Sequence, residues 1–233
     1  MDTVAAARTL RDATAALRPA PWTYHPLSYA WRVHEAYLER FGGRRRALLV
    51  GMNPGPWGMG QNGVPFGDPE LVGDWLGLRG IPVDHPADAH PRRPVLGWAS
   101  VRREVSGRRL WGHLRDRYGE PGRALRDLLV VNHCPLLLFD DEGRNVTPDK
   151  LPRPIREPCL RACDEGLAQM VDATGATLLI GVGRYAEQRA AAVGAARGAE
   201  VTSVPHPSPA SPVANQDGGR RWREAVDAVL DTV

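Results

Sequence analysis

A chain of 233 residues, 42% of them hydrophobic and 24% charged, has the balance of a globular protein and the length to bury a sizeable core. No apolar run approaches the ~20 residues of a membrane span, and three cysteines are too few for a four-thiolate cluster or a disulfide framework. The net charge of +3 rests on arginine, Lys150 being the only lysine, and arginine suits bidentate contacts to phosphate.

The first segment, MDTVAAARTLRDATAAL, alternates charge with alanine and lacks the unbroken apolar core of a signal peptide. It reads as a helix over 3–17 of a cytoplasmic protein. Pro19 to Pro26 follows as an extended connector, and helical spacing returns over 28–41 with Ser28 as its N-cap. Ala47 to Val50 is a short buried strand that stops at Gly51 and gives way to a loop dense in Gly and Pro, MNPGPWGMGQNGVPFG. Pro69 to Leu78 reads as a short helix. Residues 80–100 form a proline-rich segment whose His85 and His90 have no clear third partner for a metal. Arg102 to Tyr118 is a basic helix interrupted near Ser106-Gly107.

Three further apolar runs, Leu128 to Val131, Thr177 to Ile180 and Val201 to Val204, alternate with helical patterns over 156–173, 184–197 and 219–231. Strands alternating with helices predict an α/β fold, a three-layer α/β/α sandwich around a four-stranded parallel sheet. Without repeats or linkers the whole of 1–233 reads as one domain, with a helical N-terminal segment up to about residue 41. Cys159 and Cys163 lie one helical turn apart, a spacing that suits core packing. No heptad or surface apolar stripe speaks against a monomer.

Each predicted strand is followed by a polar signal: Asn53 in Met-Asn-Pro-Gly, Asn132 in Asn-His-Cys-Pro, Arg184 after Gly-Val-Gly, and His206 in Pro-His-Pro-Ser-Pro. In a parallel sheet all four lie at the carboxyl edge, where open α/β folds bind ligands. Other readings of the glycines fail on spacing: there is no dinucleotide fingerprint, no P-loop and no nucleophile elbow.

These motifs resemble those of the single-strand-selective monofunctional uracil-DNA glycosylases, within the uracil-DNA glycosylase superfamily. The resemblance runs from about residue 24 onward through GMNPGPWGM with QNGVPFG, then HPRRPVLG, EVSGRRLWG, NHCPLLLFDDEGRNVTP, IGVGRYAEQRA and HPSPASPVAN. It implies a four-stranded parallel sheet between helices, no metal, no cofactor, and hydrolysis of the bond between uracil and deoxyribose in single-stranded or duplex DNA. Carried over position by position, Asn53 holds the attacking water and His206 stabilises the departing base. Asn132 reads the uracil edge, Phe66 stacks on the base, and Gly55 and Met59 decide which C5 substituents fit, 5-hydroxymethyluracil among them. Ser208 and Ala210 belong to the DNA-facing rim. There the family continues Arg-Asn-Pro and uses the arginine as a wedge, whereas this chain has Ala210-Ser211-Pro212. Arg220 and Arg221 are the replacements at hand, with Trp222 beside them either sharing that job or docking the last helix; a lost wedge implies a stronger preference for single strands. His133 sits where the family has an apolar residue, either satisfying a backbone group or altering base choice. Lys150 lies outside every motif, so no amine is available for strand cleavage. Two alternatives stay open: a sister branch acting on xanthine or hypoxanthine, and a non-catalytic binder of single-stranded or damaged DNA.

Overall fold

The computed structural model describes residues 1–233. Six helices of eleven residues or more are α1 Thr3–Thr14, α2 Trp31–Phe41, α3 Val105–Tyr118, α4 Arg153–Thr174, α5 Arg184–Gly194 and α6 Arg220–Leu230. Seven strands follow the chain as β1 Trp22–Tyr24, β2 Ala47–Gly51, β3 Leu128–Asn132, β4 Leu137–Phe139, β5 Asn145–Val146, β6 Leu178–Val182 and β7 Glu200–Val204. β3, β2, β6 and β7 form the expected parallel sheet in that order. Strands β2 and β6 are buried along their whole length, which is why they read in sequence as continuous apolar runs rather than as alternation.

Right-handed crossovers dictate the layers. α3 links β2 to β3 on one face, where Tyr37 of α2 meets Trp111 and where His113 bonds Asp227 of α6 at 2.9 Å. α4 and α5 return on the opposite face, with α1 packed on α4 and α5 on β6 and β7. One cluster of 41 buried residues joins both faces to the sheet, and burial of this apolar surface at about 25 cal/mol per Å² is the main force holding the layers together.

Four local expectations are revised. Pro19 to Pro26 is not merely a connector: β1 pairs antiparallel with β4, and β4 with β5, in a second small sheet. Ser28 does not cap α2, because Pro26–Tyr29 forms a separate helical turn and α2 starts after Ala30 without a side-chain cap. The helix at 102–118 is not interrupted; it begins at Val105, with Glu104 as N-cap and Ser106-Gly107 in its first turn. The short helix from Pro69 forms but stops at Trp75 instead of Leu78, with Leu71–Trp75 in π-helical form. His90 uses both ring nitrogens, Nε2 on the Asp141 carbonyl and Nδ1 on the Arg92 N–H, and His85 bonds the Val95 carbonyl through Nδ1. No helix is long and apolar enough to cross a membrane.

Candidate active site

The sheet's register sets the site. Gly51, the last residue of β2, stands opposite Asn132, the last of β3. A Cβ built on Gly51 would lie 2.3 Å from Asn132 Oδ1 and 2.7 Å from Phe66 Cε2. The missing side chain is therefore what lets the ring of Phe66 and the amide of Asn132 converge above the end of the sheet. His206, two residues past β7, closes the group: its ring centroid is 6.0 Å from that of Phe66.

Phe66 is held there against its backbone preference. It has φ +54°, a left-handed conformation that costs a residue other than glycine about 1–3 kcal/mol. The surroundings enforce it. Trp111 donates its indole N–H to the Pro65 carbonyl at 3.1 Å, and Asn62 closes the loop by donating to Gly67 O at 2.6 Å and accepting from Val64 N–H at 3.1 Å. The first turn of α3 lies directly on the Phe66 carbonyl, where a Cβ on Gly107 would come within 1.7 Å of it. Nothing local in the sequence marks Gly107 as part of the site.

Backbone groups set the polarity of two of the three polar side chains, Asn53 and His206. A carbonyl can only accept, so the Asn53 amide that sits 3.2 Å from Leu136 O is its Nδ2, and Oδ1 is turned the other way as a free acceptor. A backbone N–H can only donate, so His206 Nδ1, 3.1 Å from Ser208 N, accepts. The proton of the neutral ring then sits on Nε2. Burial holds this imidazole below its ordinary value of 6.5, which keeps it neutral at pH 7. Asn132 Nδ2 lies 3.2 Å from the Met59 sulfur. The group offers a donor on His206, an acceptor on Asn53, a donor–acceptor pair on Asn132 and a flat ring, and it holds no nucleophile. That set can bind a planar heterocycle with an amide-like edge and steady a water beside it.

Glu104, which sequence reasoning missed, fills the space off the same loop. A Cβ on Gly55 would meet its Oε2 at 3.3 Å, and one on Gly58 would meet its Cγ at 2.6 Å. Glu104 Oε1 caps α3 by accepting from Ser106 N–H at 3.0 Å. Burial raises its carboxyl above the usual range, opposed by the amides of Ser106 and Gly107. Beside it, Arg102 stacks over Trp57 at 4.4 Å.

The rim residues fall into two groups. Ser208 lies in the loop after His206, its hydroxyl accepting from Ala210 N–H at 3.1 Å, and Ala210 is exposed. Arg109 of α3 braces this loop, donating to Pro207 O and Asn215 Oδ1, both at 2.9 Å. Arg220 and Arg221 are exposed but paired to Asp217, Arg220 also to Glu224. Trp222 is buried, and its indole donates to Pro205 O at 2.7 Å, so it docks α6 under the stretch that carries His206. His133 points away from the ligand side: its two ring nitrogens meet Asp164 Oδ1 at 2.9 Å and Tyr185 OH at 3.0 Å. Lys150 is exposed beside Asp149.

Comparisons with known proteins identify the family and the fold. A family described as the uracil DNA glycosylase superfamily matches residues 40–229. The single-strand selective monofunctional uracil DNA glycosylase of Bos taurus is 48% identical over 196 residues, covering 83% of this chain and 72% of that one. Its counterpart in Rattus norvegicus is 46% identical over 209 residues, 88% of this chain and 75% of the relative. A crystal structure of wild-type SMUG2 from Pedobacter heparinus superposes with a TM-score of 0.68 at 14% identity, over 97% of this chain and 96% of that one; at that identity the likeness is one of fold.

The His206 tautomer has a consequence for pH. Protonation at Nδ1 would set an N–H against the N–H of Ser208, so the contact favours the neutral ring. The rate of the site's reaction should hold as pH falls to 6.5 and decline only below it, because burial displaces the ring's titration downward. A single-turnover pH profile with an acid limb centred above 6.5 would contradict this.

Proposed function

The chain belongs to the uracil DNA glycosylase superfamily and, within it, to the single-strand-selective monofunctional branch; from that premise we infer how its own residues carry the reaction. It is a DNA repair N-glycosylase that hydrolyses the bond between uracil and deoxyribose without cutting the strand. The target C1′ is inaccessible in a stacked helix, so the nucleotide must be extruded or already single-stranded. Phe66 stacks on the base, a contact worth roughly 1–3 kcal/mol that does not distinguish one base from another. Discrimination falls to Asn132, whose Oδ1 accepts from uracil N3–H and whose Nδ2 donates to O4. Cytosine presents the opposite pattern and would leave both groups unpaired.

Bond breaking leaves positive charge on the sugar and negative charge on the base. An amide takes no proton at neutral pH, so Asn53 acts by orientation: its free Oδ1 accepts from a water on the sugar's open face, and the oxocarbenium-like carbon needs little more. His206 Nε2–H donates to O2 as charge develops there, an oxyanion type of stabilisation. The single observation that carries this assignment is the pair of backbone contacts, Leu136 O on Asn53 and Ser208 N on His206, that aim an acceptor and a donor outward. A single chain supplies every group, so the reading needs no second copy. With Ala210 at the rim and Arg220 and Arg221 spent on acids, single-stranded DNA is the preferred form. Trp57 with Arg102 offers it an aromatic and cationic surface next to the loop.

The 5-modified uracils follow from the same placement. O4 faces Asn132 Nδ2 and hence Met59, so C5 lies on the side of the 54–59 loop, away from His206. There Gly55 leaves room, and Glu104 Oε2 stands ready to accept from a hydroxymethyl group.

Two sets of measurements test the reading. On a single-stranded uracil oligonucleotide, His206→Ala and Asn53→Ala should each lose about 10²–10³ in single-turnover rate while retaining the wild-type fold. Wild-type turnover from either folded variant would remove the role given to it. Glu104→Gln, which keeps the cap on α3, should lower the ratio of kcat/KM for 5-hydroxymethyluracil over uracil by about tenfold, the difference between a charged and a neutral acceptor. An unchanged ratio would take Glu104 out of substrate choice.

A further inference from the structure

The three cysteines, two of which the sequence places one turn apart, meet in space. Cys159 and Cys163 face the same way from α4, and Cys134 comes to them from the loop after β3; their sulfur atoms all lie within 4.8 Å of one another. All three are free thiols and fully buried, at 0–1% exposure. We propose that Cys134, Cys159 and Cys163 form a trithiolate site for one soft, thiophilic d¹⁰ metal ion.

The donor set selects the class of ion. The apolar neighbours in this cluster, Leu136, Leu138 and Leu151, offer no ligand to a hard cation such as Mg²⁺ or Ca²⁺, and the hydroxyl of nearby Tyr185 is engaged with His133. Thiolates favour soft ions such as Cu(I). A structural Zn²⁺ wants four ligands, and the nearest imidazole, His133, has both nitrogens committed to Asp164 and Tyr185. A three-coordinate ion is the one that matches. With metal–sulfur bonds of about 2.3 Å, a trigonal site sets its sulfurs about 4.0 Å apart, so the present spread closes with side-chain adjustments of less than about 1 Å. Binding displaces the three thiol protons and forms three metal–sulfur bonds, with no change in oxidation state.

Access has a structural route. Pro158 lies inside α4 directly before Cys159, and no side chain caps the helix at Pro152. Proline supplies no N–H to the helical ladder, so the turn in front of Cys159 is the weak end of α4, and its local opening exposes Cys159 first. The cluster also touches the active site from behind. Cys134 N–H donates to Met52 O at 2.9 Å, beside Asn53, and His133 N–H donates to Gly51 O at 2.9 Å. An ion that draws in Cys134 therefore pulls on both Asn53 and Asn132.

The test is a titration of the reduced full chain with Cd(II), read by sulfur-to-metal charge-transfer absorbance and by thermal midpoint. The proposal expects saturation at one equivalent, a rise in midpoint, and protection of all three thiols from a thiol-specific reagent. The isosteric variants Cys134→Ser, Cys159→Ser and Cys163→Ser should each weaken Cd(II) at least tenfold. Cd(II) should also slow uracil excision by the wild-type chain, reversibly on chelation, and do so much less in Cys163→Ser. Absence of charge-transfer absorbance in the wild type, or saturation unchanged in all three variants, would overturn the site and leave the cysteines as core packing. Uracil excision by the metal-free chain is measured alongside, so failure of this site is distinguishable from failure of the glycosylase reading.

Discussion

The site depends on a side chain that is not there. Parallel register sets Gly51 opposite Asn132 at the end of the two central strands, and only hydrogen at that position leaves room for both the Asn132 amide and the Phe66 ring. The remaining elements hold that convergence in place. α3 presses Gly107 onto the Phe66 carbonyl, Trp111 and Asn62 fix the loop on either side, and Trp222 anchors α6 beneath the chain that delivers His206. The strained backbone of Phe66 is tolerated because these contacts leave it no other conformation.

The chemistry follows from the same economy. The two groups proposed to act on the scissile bond, Asn53 and His206, carry no charge at neutral pH; each works through orientation, and each orientation is imposed by a backbone group that can only donate or only accept. Leu136 O turns the Asn53 amide outward, Ser208 N fixes the His206 tautomer, and burial keeps that ring neutral. An enzyme that breaks a bond whose leaving group carries its own negative charge away needs a placed donor and a placed water more than a strong base. Glu104 stands beside the same loop, its Oε2 next to Gly55 and its Oε1 held by the first turn of α3, and its proposed part is in the choice of C5 groups.

Much of this was legible in the chain. Fully buried parallel strands read as unbroken apolar runs, so Ala47 to Val50 and Leu128 to Val131 stood out, and the polar residues just past them fell at one edge by topology alone. What stayed hidden depends on distance in sequence. β1 is three residues long and finds its partner β4 more than a hundred positions later, beyond the reach of local periodicity. Ser28 looked like a cap because serine commonly is one, but Pro26 starts its own turn first. Gly107 sits in what read as a helix interruption and Glu104 just before it, and their meaning lies in Phe66 and Gly55 across the fold. The spacing of Cys159 and Cys163 indicated a shared helix face, while Cys134 joins them only through the crossover from β3 to α4. His133, ambiguous in sequence, is spent on Asp164 and Tyr185.

The most direct measurement is single-turnover excision of uracil from single-stranded DNA by Gly51→Ala, in protein whose circular dichroism matches wild type. One methyl group at that position must displace Phe66 or Asn132, and misplacement on the ångström scale costs on the order of 10² in rate. A loss of that size with the fold intact is the predicted result. A folded Gly51→Ala chain that excises uracil at the wild-type rate would contradict the account at its centre.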